Sequence, residues 1–141
     1  MSKLPFPDDV RAFLSRPNPA VMATLRKSGA PITVATWYLL EDDDRVLLTL
    51  DDTRTRLQHL KRDPRIALTV TDPENWYTHV SFQGEVVEIA SDTGLAGANK
   101  VSQHYTGHDY PDQVSPRTNV WVRISDWHGW GAHKDDLSKR G

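Results

Sequence analysis

Ala20-Val21-Met22-Ala23-Thr24-Leu25-Arg26 runs into Lys27-Ser28-Gly29-Ala30-Pro31 and then into Ile32-Thr33-Val34-Ala35-Thr36-Trp37-Tyr38-Leu39-Leu40. In the first segment Val21, Ala23 and Leu25 alternate with Met22, Thr24 and Arg26, the two-residue period of a strand. Lys27–Pro31 is a turn. A second strand is predicted from Ile32 to Leu40. It puts Ile32, Val34, Thr36, Tyr38 and Leu40 on one face, and Thr33, Ala35, Trp37 and Leu39 on the other.

Outward from this pair the pattern stays mostly β. Pro7-Asp8-Asp9 followed by Val10, Phe13 and Leu14 predicts a short capped helix, ended by Arg16-Pro17-Asn18-Pro19. Glu41-Asp42-Asp43-Asp44 reads as a solvated hairpin tip; a calcium loop needs alternating carboxylates, a glycine and a distal Glu. Val46–Leu50 is a third strand. Asp51-Asp52-Thr53 caps a helix from Arg54 to Arg62, stopped by Asp63-Pro64. Ile66–Thr71 is a fourth strand, and Tyr77–Ile89 a long fifth one bent at Gly84. Ser91-Asp92-Thr93 opens a helix ending near Gly107, and Asn119–Ser125 closes the series. No helix recurs between consecutive strands as parallel βαβ units require. The expectation is a mainly β (α+β) fold: a closed, six-stranded antiparallel barrel with peripheral helices, in one domain spanning 1–141. Its ordered core is expected over 6–133, with the polar 134–141 tail frayed.

Composition bounds the chemistry. A chain of 141 residues suits one domain and buries roughly two-thirds of its unfolded surface. With 38% hydrophobic and 26% charged residues, it is not a disordered chain. The absence of cysteine excludes disulfides, thiolate metal sites, iron–sulfur clusters and thiol catalysis. A net charge of −2 argues against a nucleic-acid partner, and the cluster Arg54, Arg56, Lys61, Arg62, Arg65 lacks interleaved aromatics. No signal-peptide or membrane-spanning run is present, so a cytoplasmic protein with no membrane partner is expected. Five Trp, four Tyr and three Phe are many rings for so short a chain.

The strongest chemical signal lies in Thr53-Arg54-Thr55-Arg56-Leu57-Gln58-His59-Leu60-Lys61-Arg62. A helix start carries partial positive charge and favours acidic side chains. Arg54 and Arg56 violate that preference, and beside free N–H groups and two Thr hydroxyls they suit a doubly charged anion. A solvated basic helix is the plain alternative. Small Ala35 beside Trp37 leaves room for a planar ligand against the strand, although core packing also explains the pair. Trp76-Tyr77, in a turn, reads as a dimer interface or ligand rim. No metal site is expected: His104 and His108 are separated by Gly107, and no HExxH or paired carboxylates support His128 and His133. No G-x-S-x-G elbow is present.

Pro19–Arg26, Gly29-Ala30-Pro31 and the basic helix ending in Arg62-Asp63-Pro64-Arg65 resemble the pyridoxamine-phosphate-oxidase-like split β-barrel flavoproteins. The likeness covers residues 8–90 well and the C-terminal third loosely. Within that superfamily the chain is similar to the short branch that uses the deazaflavin coenzyme F420. There the helix usually carries a Lys and, two residues later, Arg-Asn-Leu; here Arg56 stands at the Lys position and His59 at the Asn position. The resemblance implies that Thr53, Arg54, Thr55, Arg56 and His59 surround the cofactor's phosphate or anionic tail. It implies that Val34, Ala35, Thr36 and Trp37, with Thr49 and Leu50, line the planar ring. It further implies a homodimer with each cofactor at the shared interface, reached by Trp76 and Tyr77, and a small-molecule substrate. The implied activity is hydride transfer from reduced F420 to an electron-poor organic compound. The alternatives are an FMN oxidoreductase of the same fold and a carrier without turnover. Tyr38, His79 or a partner's histidine are candidate proton donors; no catalytic residue is singled out.

Overall fold

The alternation around Ala20 produces an antiparallel pair, β1 (Ala20–Leu25) and β2 (Pro31–Thr36), with Met22 opposite Val34 and Leu25 opposite Pro31. In the computed structural model, which describes residues 1–135, five further strands follow. They are β3 (Leu39–Leu40), β4 (Val46–Asp51), β5 (Arg65–Thr71), β6 (His79–Ser91) and β7 (Arg117–Trp130). Three α-helices, α1 (Asp8–Leu14), α2 (Thr55–Arg62) and α3 (Ala96–Thr106), lie between them. All seven strands join one sheet in the order β2-β1-β5-β6-β7-β4-β3, every pair antiparallel.

That order dictates a curl. β2 and β3 are the two edges, yet only Trp37 and Tyr38 separate them. Three residue steps span at most about 11 Å. A flat sheet of this width would hold its edges roughly 29 Å apart at the usual strand spacing. The sheet therefore wraps until its edges nearly meet, leaving a split where the chain crosses. The strands number seven rather than six, and the barrel is not closed, which corrects the closed barrel read from the strand order and is consistent with the split barrel the resemblance implies. The predicted Ile32–Leu40 strand breaks because the Tyr38 N–H faces the Tyr105 hydroxyl at 3.4 Å. Its phenol turns inward and donates to Leu14 O at 2.7 Å.

Inside the curl lie Met22, Leu48, Leu50, Leu68, Val80, Phe82 and Val122, with Phe13, Leu14, Leu57 and Leu60 from α1 and α2 closing the ends. β6 bends as Gly84 predicts, with register shifts between Gln83 and Gly84 and between Val86 and Glu88. β7 exceeds its predicted length because it pairs with β6 along nearly its whole course and buries Trp127 against Phe6. At the start of the expected frayed tail, Asp135 is buried and accepts bonds from Ser2 Oγ at 2.7 Å and Gly129 N at 3.1 Å. The rest of that tail, 136–141, lies outside the described residues. Among the described residues, no helix is long and apolar enough to cross a membrane.

Candidate functional site

β4 ends in Asp51, whose Oδ1 accepts the Thr53 N–H at 2.8 Å and the Thr53 hydroxyl at 2.6 Å. This tight turn delivers the chain to α2 one residue later than expected, with Arg54 at the N-cap in extended conformation. Arg54 makes no side-chain capping bond, so no carboxylate or hydroxyl caps the first N–H groups of α2.

Arg56, in the first turn, is half buried, and its Nε is enclosed without a hydrogen-bond partner. Burial, with the charges of Arg54 and Arg117 nearby, pulls its pKa below the ordinary arginine value. Arg117 comes from the start of β7. Its Nη2 donates to Thr49 O at 2.8 Å and to Thr49 Oγ1 at 3.3 Å. Its guanidinium carbon lies 4.4 Å from the centre of the Tyr110 ring, and its Nε is also buried and unpartnered. Among the described residues, none of Arg54, Arg56 and Arg117 has a carboxylate within ion-pair distance. Three guanidiniums gathered this way repel one another, and no protein carboxylate touches them.

Two clefts meet at Arg56. The first, of about 570 Å³, runs from Pro17 and Pro19 past Ala35, Thr36 and Trp37 to Thr49, Arg56, Tyr105, Tyr110 and Arg117. One wall is flat: the rings of Trp37 and Tyr105 are stacked, 5.0 Å apart and 12° from parallel. Trp37 nonetheless stays 41% exposed. The second cleft, of about 400 Å³, holds Thr24, Arg26, Thr33, Val34, Arg54, Thr55, Arg56 and His59. His59 is buried in it with Nδ1 2.9 Å from Thr24 Oγ1, tying α2 to β1.

The structure thus brings Ala35, Thr36, Trp37, Thr49 and Arg56 together in one cleft, and Val34, Arg54, Thr55, Arg56 and His59 in the other. Leu50 lies fully buried in the core, and Thr53 is held in the turn by Asp51. Trp76 and Tyr77, 73% and 56% exposed in the β5–β6 connection, line neither cleft. Of the candidate proton donors, Tyr38 sits in the core, where burial pushes its pKa far up. His79 sits with Nδ1 near the Trp76 and Tyr77 carbonyls, at 3.1 and 3.0 Å. Arg117, Tyr105 and Tyr110 were not foreseen. The signal for Arg117 was there: extending the Trp121, Asn119 alternation two residues back gives Arg117, on the face of the sheet that Thr49 shares through its pairing with Asn119.

A curled antiparallel sheet split between its edge strands, with a cationic helix start at the split, defines a split β-barrel of the flavin- and deazaflavin-oxidoreductase kind. The chain belongs to the pyridoxamine 5'-phosphate oxidase family, whose model matches residues 6–131. Among solved structures it is similar to an F420 reductase, at 27% identity and a TM-score of 0.76, over 86% of this chain and 97% of that one. It also shares its fold with a conserved hypothetical protein from Mycobacterium tuberculosis: 22% identity, TM-score 0.72, over 92% and 86% of the two chains. General Stress Protein 26 of Bacillus anthracis shares it too, at 11% identity and TM-score 0.67, over 87% and 92%. No curated protein matches the chain in sequence.

Proposed function

We propose that this protein is a reductase that binds coenzyme F420 and delivers its hydride to an electron-poor small organic substrate. The observation that carries this reading is Arg56, which lines both clefts. Positive surface continues past it, through Arg54, to Arg26. FMN ends at its phosphate, whereas the deazaflavin coenzyme continues beyond its phosphate into a carboxylated tail, for which the second cleft supplies cations. The 27% identity to an F420 reductase supports the same choice.

The residues present fit the group. The uncapped start of α2, with Arg54 and Arg56, would hold the phosphate, whose charge offsets that of these two arginines. Ala35 keeps the strand wall low enough for a planar ring. When bound, the reduced deazaflavin supplies the hydride; the chain orients it and excludes water. The Tyr105 hydroxyl is committed to Asn18 O at 2.7 Å, and burial pushes its pKa to about 12. Exposed Trp76 and Tyr77 belong to a homodimer interface in this reading.

The test is a titration of the purified protein with F420 and with FMN, followed by fluorescence. Micromolar binding of F420, and turnover on a quinone, enone or tetrapyrrole panel, is the expected result. Arg56→Ala weakens F420 binding about 10- to 100-fold, the loss of one or two charge-assisted hydrogen bonds. FMN bound more tightly than F420 refutes the cofactor assignment, and binding without any reduction makes the protein a carrier.

A further inference from the structure

The cofactor assignment leaves one arginine unused. Arg56, Arg54 and Arg26 account for an anionic phosphate and tail, and all three line the second cleft. Arg117 lines only the first cleft, on the β4–β7 side. It is not a loosely solvated side chain. Thr49 O and Oγ1 anchor its Nη2, and the Tyr110 ring covers one face of its guanidinium. The segment carrying Tyr110 is itself pinned, since the Tyr110 N–H donates to Asn99 Oδ1 at 3.0 Å and Gln113 Nε2 to Tyr110 O at 2.6 Å. Asp51 and Asp112 lie near enough to feel the charge of Arg117, yet neither comes within ion-pair distance. A guanidinium fixed this way in the wall of a cleft, with no carboxylate in contact, suits an oxygen acceptor from a ligand.

The same cleft carries the flat Trp37–Tyr105 wall. A flat face and a fixed guanidinium in one cleft select a flat molecule that ends in an anionic group. We propose that Arg117 is the substrate-recognition residue of this cleft, and that the substrate is a planar conjugated acceptor bearing a carboxylate. The proposal rests on the reductase reading for the word substrate, but the recognition by Arg117 is a binding property that holds without turnover.

Anthraquinone-2-carboxylate and its neutral carboxamide are suitable probes, since they share one flat, electron-poor frame and differ in charge. Binding of each to the protein, followed by tryptophan quenching with and without F420, reads the site directly. The wild type is expected to prefer the carboxylate by about ten-fold, the worth of one charge-assisted contact. Arg117→Gln, which keeps a donor without the charge, and Arg117→Ala both abolish the preference, while F420 affinity stays within about two-fold. Arg117→Lys keeps part of it, since the charge survives without the fork. Equal binding of both probes to the wild type overturns the proposal. So does an Arg117→Gln variant that loses F420 affinity while keeping the carboxylate preference, because Arg117 then belongs to the cofactor. Failure of F420 to bind, with the carboxylate preference intact and dependent on Arg117, refutes the cofactor reading and leaves the recognition site standing. Melting curves of each variant separate loss of binding from loss of fold.

Discussion

The indole of Trp37 and the phenol of Tyr105 lie parallel to within 12°, their centroids 5.0 Å apart. Trp37 sits in the two-residue crossing between the sheet's edges, and Tyr105 near the end of α3. The Tyr105 hydroxyl donates to Asn18 O and faces the Tyr38 N–H, so one side chain joins the crossing, the α1–β1 connection and α3. Stack and hydroxyl do separate jobs. Tyr105→Phe keeps the stack but leaves the Asn18 carbonyl and Tyr38 N–H short of a partner, for a stability loss of about 1–2 kcal/mol. Trp37→Ala costs at most about 1.5 kcal/mol in stability, since the ring is partly exposed, but weakens binding of planar ligands. Urea denaturation and ligand titration on both variants check this division.

Thr24 and His59 form a buried polar pair beneath the second cleft. Replacing Thr24 by Val conserves volume but strands the imidazole Nδ1 away from water. Thr24→Val is expected to destabilise the protein by about 1–3 kcal/mol, read as a fall in melting temperature. Because α2 is tied to β1 through this pair, affinity for the anionic end of the cofactor falls as well.

Gly84 is needed for space, not for backbone freedom. A Cβ there collides with the backbone carbonyl of Arg123, which cannot swing aside as a side-chain tip would. Gly84→Ala is expected to cost about 3 kcal/mol and to shift the β6–β7 register at the bulge. Gly29→Ala is the control: nothing crowds that position, and only its φ of +89° is disfavoured, for about 1 kcal/mol. Denaturation midpoints of the two variants test the ranking.

Asp63 ends α2 and is gripped by Arg65, through Nε at 3.0 Å and Nη2 at 2.8 Å, with the Arg65 N–H adding a third bond. These bonds lower its pKa from 3.8 to about 2. A carboxyl depressed in the folded state stabilises it above its unfolded pKa, and loses that contribution as pH falls through the folded value. The window is therefore from near 3.8 down to about 2. Asp63→Asn is expected to flatten the acid limb of the stability curve in that window, measured by urea unfolding at stepped pH.

Much of the architecture was legible along the chain because local rules govern it. The alternation over Ala20–Leu25, the Gly84 bend and the Asp63-Pro64 stop are each decided within a few residues, and each stands where predicted, give or take two positions. The strand break at Trp37-Tyr38 was not legible. Period-two alternation continues unbroken through Leu40, and what interrupts it is Tyr105, 67 positions away from Tyr38. Leu50 shows the same limit. It shares a strand with Thr49, and only the direction of the curl decides that one faces the core and the other the cleft.

By itself, the sequence determined the order of the elements, the antiparallel class and the concentration of cations at the start of α2. These follow from periodicity, turn chemistry and charge, which act over one or two helical turns. The tertiary structure alone decided that the sheet stops short of closing, that two clefts meet at Arg56, and that Arg117 lines the same cleft as the Trp37–Tyr105 wall. The physical reason is the path of the chain. Residues 37 and 117 lie far apart along it, and only the curl enforced by the short crossing between edge strands brings them into one cleft.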